Sequence, residues 1–198
     1  MAEVVRIPVR SDERLPARRT LDDRIYLRWP GLSVRLSRAV LSLPPRLRLR
    51  RVLLRRAMLS GWAAWARGDL DLTLLRFAPE YELRPMSEMR AVGIRDSYKG
   101  RSGVREWAAD MRDAWVQQEV RPLEIVDAGN PVVSLGHIHL RARGSGIEFD
   151  YPFGAVFWHE QGLIVRELHF TDWDQALHAA GIPAVGLESG RDRVTSPG

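Results

Sequence analysis

The stretch that decides the fold is residues 130–171, NPVVSLGHIHLRARGSGIEFDYPFGAVFWHEQGLIVRELHFT. Apolar and polar residues alternate along it in three runs. A Gly-Ser-Gly turn separates the first two runs, and Glu-Gln-Gly separates the second from the third. Alternation with a period of two, broken by tight turns, predicts antiparallel strands.

The residues before this stretch predict mainly helices. The clearest is GVREWAADMRDAW (103–115), whose apolar residues recur every three or four positions and form one stripe. One strand, EYELR (80–84), interrupts the helices. This order predicts an α+β fold in which a curved, mostly antiparallel sheet wraps on the N-terminal helices. A sheet closed in this way leaves a cavity on its concave side.

Composition sets the class of protein. The chain has 198 residues, of which 45% are hydrophobic, and it lacks cysteine. It also lacks a long apolar run and an N-terminal segment like that of a signal peptide. We therefore expect a cytoplasmic protein without disulfides, thiolate metal sites or a cofactor.

Charge is distributed unevenly. Residues 1–56 carry 15 Arg and 5 acidic residues, whereas residues 57–198 carry 15 basic and 20 acidic residues. The run RLRLRRVLLRR (46–56) is basic and amphipathic, a pattern also found where proteins touch lipid or nucleic acid. Since the excess positive charge is confined to the N-terminal part, we favour a solvated arginine face and expect no nucleic-acid or membrane partner.

Four segments resemble a known family: WAAWARGDLDLTLLRFAPEYEL (62–83), YKGRSGVREWAADMRDAW (98–115), DAGNPVVSLGHIHLRARGSGIEF (127–149) and HEQGLIVRELHFTDWDQALHAAGI (159–182). Together they resemble the SnoaL-like branch of the nuclear-transport-factor-2-like superfamily, over about residues 55–182. The resemblance implies a cone-shaped half-barrel. It suggests four parts: a disordered basic N-terminus (1–20), a basic helical extension (21–54), the SnoaL-like domain (55–182) and a flexible tail (183–198).

The catalytic residues of the family's known enzymes have few counterparts in this sequence. The three catalytic residues of ketosteroid isomerases align with Gly61, with Pro85 (or Arg84 after a one-residue shift) and with Gly154. None of these residues supplies the required acid or base. A catalytic Asp of the epoxide hydrolases of this fold aligns with His169, which can also act as a base. The resemblance therefore leaves an isomerase, cyclase or hydrolase acting on a hydrophobic substrate as the leading hypothesis.

The segment VRELHFTD (165–172) is where this hypothesis makes a geometric claim. Glu167 and His169 share one face of the predicted strand, and Leu168 and Phe170 share the other. Periodicity alone puts the apolar pair inside. The resemblance implies the reverse, with the polar pair in the cavity and the apolar pair at a homodimer surface on the outer sheet face.

We accordingly predict His169 as a general acid/base and Glu167 as the carboxylate that orients it. The predicted ligand is a hydrophobic small molecule, and the predicted pocket comprises Trp62, Tyr81, Leu83, Trp107, Ile138, Leu140, Gly154 and Thr171. The enzyme hypothesis needs His169 to be buried at an enclosed cavity that can hold a ligand; a cavity filled by Trp and Phe would exclude it. The alternative is a non-catalytic ligand-binding or dimerisation module.

His137 and His139 alternate on one predicted strand beside carboxylates, which raises the question of a metal site. Because the apolar Ile138 and Leu140 occupy the other face, we favour a charged ladder on the outer side of the sheet and predict no metal. A bulge at Pro152 would switch the faces beyond it, and this places Gly154 inside.

Overall fold

The computed structural model describes residues 3–10 and 13–183. The strands are β1 (Val5–Pro8), β2 (Phe77–Arg84), β3 (Tyr98–Lys99), β4 (Trp115–Asp127), β5 (Val132–Ala142), β6 (Glu148–Glu160) and β7 (Leu163–Phe170). The helices are α1 (Leu21–Arg28), α2 (Pro30–Ser42), α3 (Arg48–Ala66), α4 (Leu70–Leu74), α5 (Gly100–Ala114) and α6 (Trp173–Ala179), with a 3₁₀ helix at Ser87–Val92. The predicted flexible tail falls mostly on residues 184–198, outside the described residues.

A seven-stranded sheet forms the body, in the order β1-β4-β5-β6-β7-β2-β3. All neighbouring strands are antiparallel except β2 and β7, which are parallel. The prediction of a mostly antiparallel sheet in an α+β fold is therefore confirmed.

Two apolar clusters flank the sheet. The inner cluster fills the concave side, where residues of α3 and α5 meet inward-facing residues such as Ile138, Phe153 and Phe157. The outer cluster lies on the convex side, where Ala176 and Leu177 of α6 pack against the sheet. Strands β4 to β7 thus contribute residues to both clusters, because the pleat of a strand points successive side chains to opposite faces.

Strand β1 corrects the prediction of a disordered N-terminus. Residues Val5–Pro8 pair with β4, the Val9 amide donates to the Leu123 carbonyl at 2.8 Å, and Ile7 is buried. Arg6 also forms an ion pair with Glu124 at 2.7 Å. The apolar residues of this strand are too few and too closely mixed with arginines for composition to reveal them.

The helical extension is fixed at one end by Arg50. Its guanidinium forms a fully buried ion pair with Asp127 at 2.7 Å and donates to the carbonyls of Leu41 and Leu43 at the end of α2. Helix-terminal carbonyls lack partners within the helix. Arg50 therefore satisfies the end of α2 and joins it to the sheet through β4.

Asp23 fixes the other end. It forms a capping box with Thr20 at the start of α1 and accepts hydrogen bonds from Ser60 at 2.8 Å and Arg67 at 3.2 Å. Because Asp23 is 1% exposed, its charge is held by the domain and not by water. Helix α1 is in this way tied to α3.

Between these two fixed points, α2 contacts the sheet at the turn between β6 and β7. Gly162 adopts a φ of +86°, and a Cβ atom there would lie 2.5 Å from the Val34 carbonyl oxygen. Only glycine allows α2 to approach this closely.

None of the helices in the described part of the chain is both long and apolar enough to cross a bilayer.

Candidate functional site

The orientation predicted for the last strand is confirmed. Glu167 and His169 are 3% and 6% exposed and face the concave side of the sheet. Leu168 lies opposite Val156 on the convex side, and Phe170 packs against the outer cluster. Part of the outer face that was predicted as a dimer surface is therefore covered by α6 of the same chain.

Glu167 connects two other polar side chains inside the cone. The Tyr81 hydroxyl donates to Glu167 Oε2 at 2.5 Å, and His169 Nε2 lies 2.6 Å from Glu167 Oε1. The parallel pairing of β2 with β7, which sets Leu83 opposite Glu167, brings these side chains together. Burial and the negative charge of Glu167 raise the pKa of Tyr81 well above its usual value, so the hydroxyl stays protonated and donates.

The other ring nitrogen of His169, Nδ1, is the atom that could take part in proton transfer. When Glu167 is ionised, it accepts a hydrogen bond from the proton-bearing Nε2 of His169. The lone pair of the neutral imidazole is then on Nδ1. Nδ1 has no hydrogen-bond partner among residues 3–10 and 13–183. The ring packs against Trp107 and Phe153, with centroids 5.4 and 5.0 Å away. An oriented imidazole of this kind can accept a proton from a bound molecule.

The space next to His169 is small. One cavity of about 20 Å³ lies beside its ring, lined by Trp62, Trp65, Pro85, Met86, Met89, Trp107, Met111, Val120, Ile138, Phe153 and His169. A second, of about 60 Å³, lies beside Glu167 and shares Trp62, Trp65 and Trp107 with the first. A cavity of 20 Å³ admits about one water molecule. His169 thus meets the burial condition of the enzyme hypothesis, but this conformation does not meet the volume condition.

Three tryptophans occupy most of the interior. Trp62 donates its indole N–H to Ser134 Oγ at 3.1 Å, and Trp65 stacks on Trp107 with centroids 4.1 Å apart. Trp107 differs, because its Nε1 is buried and has no acceptor within the described residues. A buried donor without an acceptor is costly, so this position in the cone favours a ligand that can accept a hydrogen bond.

The other predicted pocket residues fall into three groups. Trp62, Trp107 and Ile138 line the cavities. Leu83 and Leu140 are buried in the inner cluster and line neither of these two cavities. Thr171 lies at the rim, where its hydroxyl donates to Glu88 at 2.8 Å.

Gly154 is not in the pocket, and its assignment there was wrong. A Cβ atom on Gly154 would lie 2.5 Å from the Ala176 Cβ of α6, on the convex side. The pairing of β5 with β6 continues past Pro152 without a register shift, so no bulge switches the faces.

His137 and His139 lie on the convex side as predicted. Asp150 is 3.3 Å from His137 and 3.9 Å from His139, and the His137 ring contacts Trp173. These residues form part of a surface ladder across β5 and β6 and do not reach the cone.

The segment after β2 forms a wall of the cavity that sequence patterns did not reveal. Met86 and Met89 are buried and close the cavity opposite His169, and Glu88 joins this segment to the end of β7. The composition of this segment predicts a polar loop. The three-residue spacing of Met86 and Met89 is the one local signal for an inward-facing side.

Comparisons with known proteins agree with this architecture. Residues 58–167, more than half of the chain, match the model of the SnoaL-like domain. Among curated proteins, none matches the sequence.

Solved structures share the fold at low sequence identity. An NTF2-like protein of unknown function from Burkholderia pseudomallei K96243 is 20% identical with a TM-score of 0.55, over 64% of this chain and 95% of that one. TerC, co-crystallised with polyporic acid, is 21% identical with a TM-score of 0.54, over 64% and 95% of the two chains. A second NTF2-like protein, from Burkholderia thailandensis E264, is 22% identical with a TM-score of 0.53, over 65% and 96%. The match to the domain model and the shared cone architecture establish that the chain belongs to the SnoaL-like family.

Proposed function

We propose that the cone binds a small hydrophobic molecule that carries one hydrogen-bond acceptor, without catalysing its conversion. The observation that carries this proposal is the buried Trp107 Nε1–H, which has no acceptor in the described residues. Trp107 and His169 line the same cavity. The surrounding side chains are almost all apolar, so they suit a molecule with a single polar atom.

Ligand binding in the cone requires its wall to open. Because the cavity beside His169 measures only about 20 Å³, a ligand larger than water enters only if part of the wall moves. Met86 and Met89 are the wall residues best suited to move, since methionine is unbranched and adapts its shape at low cost. The Glu88–Thr171 hydrogen bond, which joins their segment to β7, would then be the contact to break.

A second candidate function is acid/base catalysis in the opened cone. It is favoured by the chain of hydrogen bonds from Tyr81 through Glu167 to His169, which holds the imidazole in one orientation and leaves Nδ1 unpaired. Burying such a network in an apolar interior is costly, and groups of this kind are concentrated at functional sites.

Homodimerisation and a cytoplasmic location remain predictions. The outward-facing apolar residues of β7 support a subunit contact beside α6, and light scattering on the purified chain measures whether two copies associate.

The binding proposal is tested with Trp107→Phe and a panel of small cyclic ketones and phenols, read by tryptophan fluorescence and thermal shift. We expect the variant to bind several-fold more weakly than wild type, about 1 kcal/mol, because the ligand loses one hydrogen bond. Trp65→Phe is the matched control, since it alters the stacked partner but leaves the Trp107 N–H in place. Equal losses in the two variants would contradict the proposal.

Two further variants separate binding from chemistry. Met89→Ala enlarges the cone, so its affinity for the panel should exceed that of wild type, whereas Leu177→Ala opens the outer cluster and should not change binding. Turnover of a bound ligand by wild type that disappears in His169→Gln would establish the second candidate. Binding without turnover in both leaves the first.

A further inference from the structure

A groove much larger than the cavities of the cone lies between the helical extension and the domain. We call it the extension groove. Its volume is about 370 Å³, within the range of small-molecule sites. Its apolar walls include Val34, Leu36 and Val40 of α2, Leu54 and Met58 of α3, and Ile164 of β7.

The groove is a fixed feature of the architecture. The Asp23 cluster ties α1 to α3 at one end, and Arg50 ties the end of α2 to β4 at the other. Between these points α2 touches the β6–β7 turn at Gly162 and buries none of its own residues fully. Helix α2 is therefore held over the domain at a distance that leaves the space open.

One charge in the groove lacks a direct counter-charge. Arg76 lines the groove and donates to the Ala57 carbonyl at 3.1 Å and to Ser60 Oγ at 2.9 Å. Within the described residues no carboxylate forms an ion pair with it. Its Nε is buried without a partner, and burial lowers its pKa. The nearest compensation is Asp23, which reaches Arg76 only through Ser60 and also pairs with Arg67.

The other ionisable residues of the groove do not neutralise Arg76. Asp22 and Arg56 cancel each other in an ion pair at 2.6 Å. Burial and the nearby Arg50 lower the pKa of His159 to about 4, so its imidazole is neutral at pH 7. His159 Nδ1 is also buried without a partner in the described chain. The groove thus has an apolar body and a net charge of one positive unit.

From this combination we infer that the extension groove binds an amphipathic monoanion, a carboxylic acid with an apolar chain or ring system, whose carboxylate pairs with Arg76. A guanidinium recognises a carboxylate through paired N–H groups in one plane, which gives both affinity and orientation. The apolar walls take the remainder of the ligand. The site lies on the extension side of a wall that Arg76 shares with the cone, and it does not depend on the function proposed for the cone.

The charge requirement is tested with decanoate and decanol, which share a chain and differ in the anionic group, titrated calorimetrically into the full chain. We expect saturable binding of decanoate and at least about ten-fold weaker binding of decanol. In Arg76→Leu the two probes should bind equally. Equal binding of both probes to wild type, or no saturable binding of decanoate, overturns the inference.

The location is tested on α2, so that the result does not depend on whether Arg76→Leu folds. Ser37 lines the groove, and Ser37→Trp should reduce decanoate affinity at least about ten-fold by filling it. Ala39 is exposed on the same helix and does not line the groove, so Ala39→Trp is the matched control and should bind as wild type does. Unchanged affinity in Ser37→Trp, or a change in the cone variant Met89→Ala, shows that decanoate binds elsewhere and overturns the inference.

Discussion

The cone interior and the extension groove share a wall but are filled differently. Ala57, Met58, Arg76 and Ile164 border both the groove and the cavity next to Glu167. On the cone side, three indole rings fill the space and Glu167 satisfies both Tyr81 and His169. On the groove side, a larger space remains open and a guanidinium lacks a carboxylate. Membership of a fold family therefore does not identify which space of this chain receives a ligand.

The substitution with the largest expected effect detaches the helical extension from the domain. In Arg50→Met, Asp127 keeps its hydrogen bond from the Gly129 amide but is left as a buried charge without a counter-charge, and the carbonyls that end α2 lose their donor. We expect the free energy of unfolding to fall by about 3–5 kcal/mol, measured by urea denaturation. Decanoate binding should be lost with it.

The control for this variant is Arg56→Met. Arg56 also forms an ion pair between α3 and the extension, with Asp22, but its side chain is 66% exposed. Exposed pairs contribute at most about 1 kcal/mol. If both variants lose the same small amount, the buried ion pair does not fix the extension.

A second test uses pH, which acts on the groove side through His159. Its pKa is about 4 in the folded protein against an ordinary value of 6.5, because burial and Arg50 oppose its charge. Between these values the unfolded chain binds the proton and the folded chain does not, so stability falls as the pH falls. We expect this residue to cost about 1–2 kcal/mol between pH 7 and pH 5.

The measurement is the difference in unfolding free energy between pH 7 and pH 5 for wild type and His159→Gln. The variant should lose less stability than wild type over this range. His178→Gln, at an exposed position of α6, should behave as wild type does. A variant that loses as much as wild type would show that His159 titrates normally in the folded state.

The smallest expected effect sharpens the cone side of the comparison. Tyr81→Phe removes the hydrogen bond to Glu167 while keeping a ring that packs on Phe77. We expect a loss of about 1 kcal/mol in unfolding free energy. Tyr151→Phe is the matched control, because Tyr151 stacks on Phe149 without a hydrogen bond from its hydroxyl among the described residues. No difference between the two variants would mean that the network adds nothing to stability.

Sequence patterns predicted the sheet correctly, whereas the burial of Glu167 and His169 followed only from the family resemblance. Alternation gave the two faces of β7, and the family resemblance decided which face was inside. The Tyr81–Glu167 contact could not be read in the same way, because it depends on the parallel pairing of two strands far apart in the sequence.

The remaining errors have local causes. The placement of Gly154 in the pocket is wrong because Pro152 forms no bulge and lies opposite His137 in an unbroken ladder. The filling of the cone depends on how three indole rings pack together, which periodicity does not encode. The extension groove depends on two buried contacts between residues far apart in the chain, Arg50 with Asp127 and Asp23 with Ser60. No local sequence pattern therefore predicts it.

Gly162 has a consequence for how this sequence can vary among relatives. Hairpin turns usually accept insertions and substitutions freely. Here an added Cβ would lie 2.5 Å from the Val34 carbonyl oxygen and 2.8 Å from the Arg38 amide nitrogen, so α2 would have to move outward. Relatives that possess the same extension should therefore keep glycine and the same turn length at this position, whereas relatives without it should be free to change the turn length, with only the positive φ still favouring glycine.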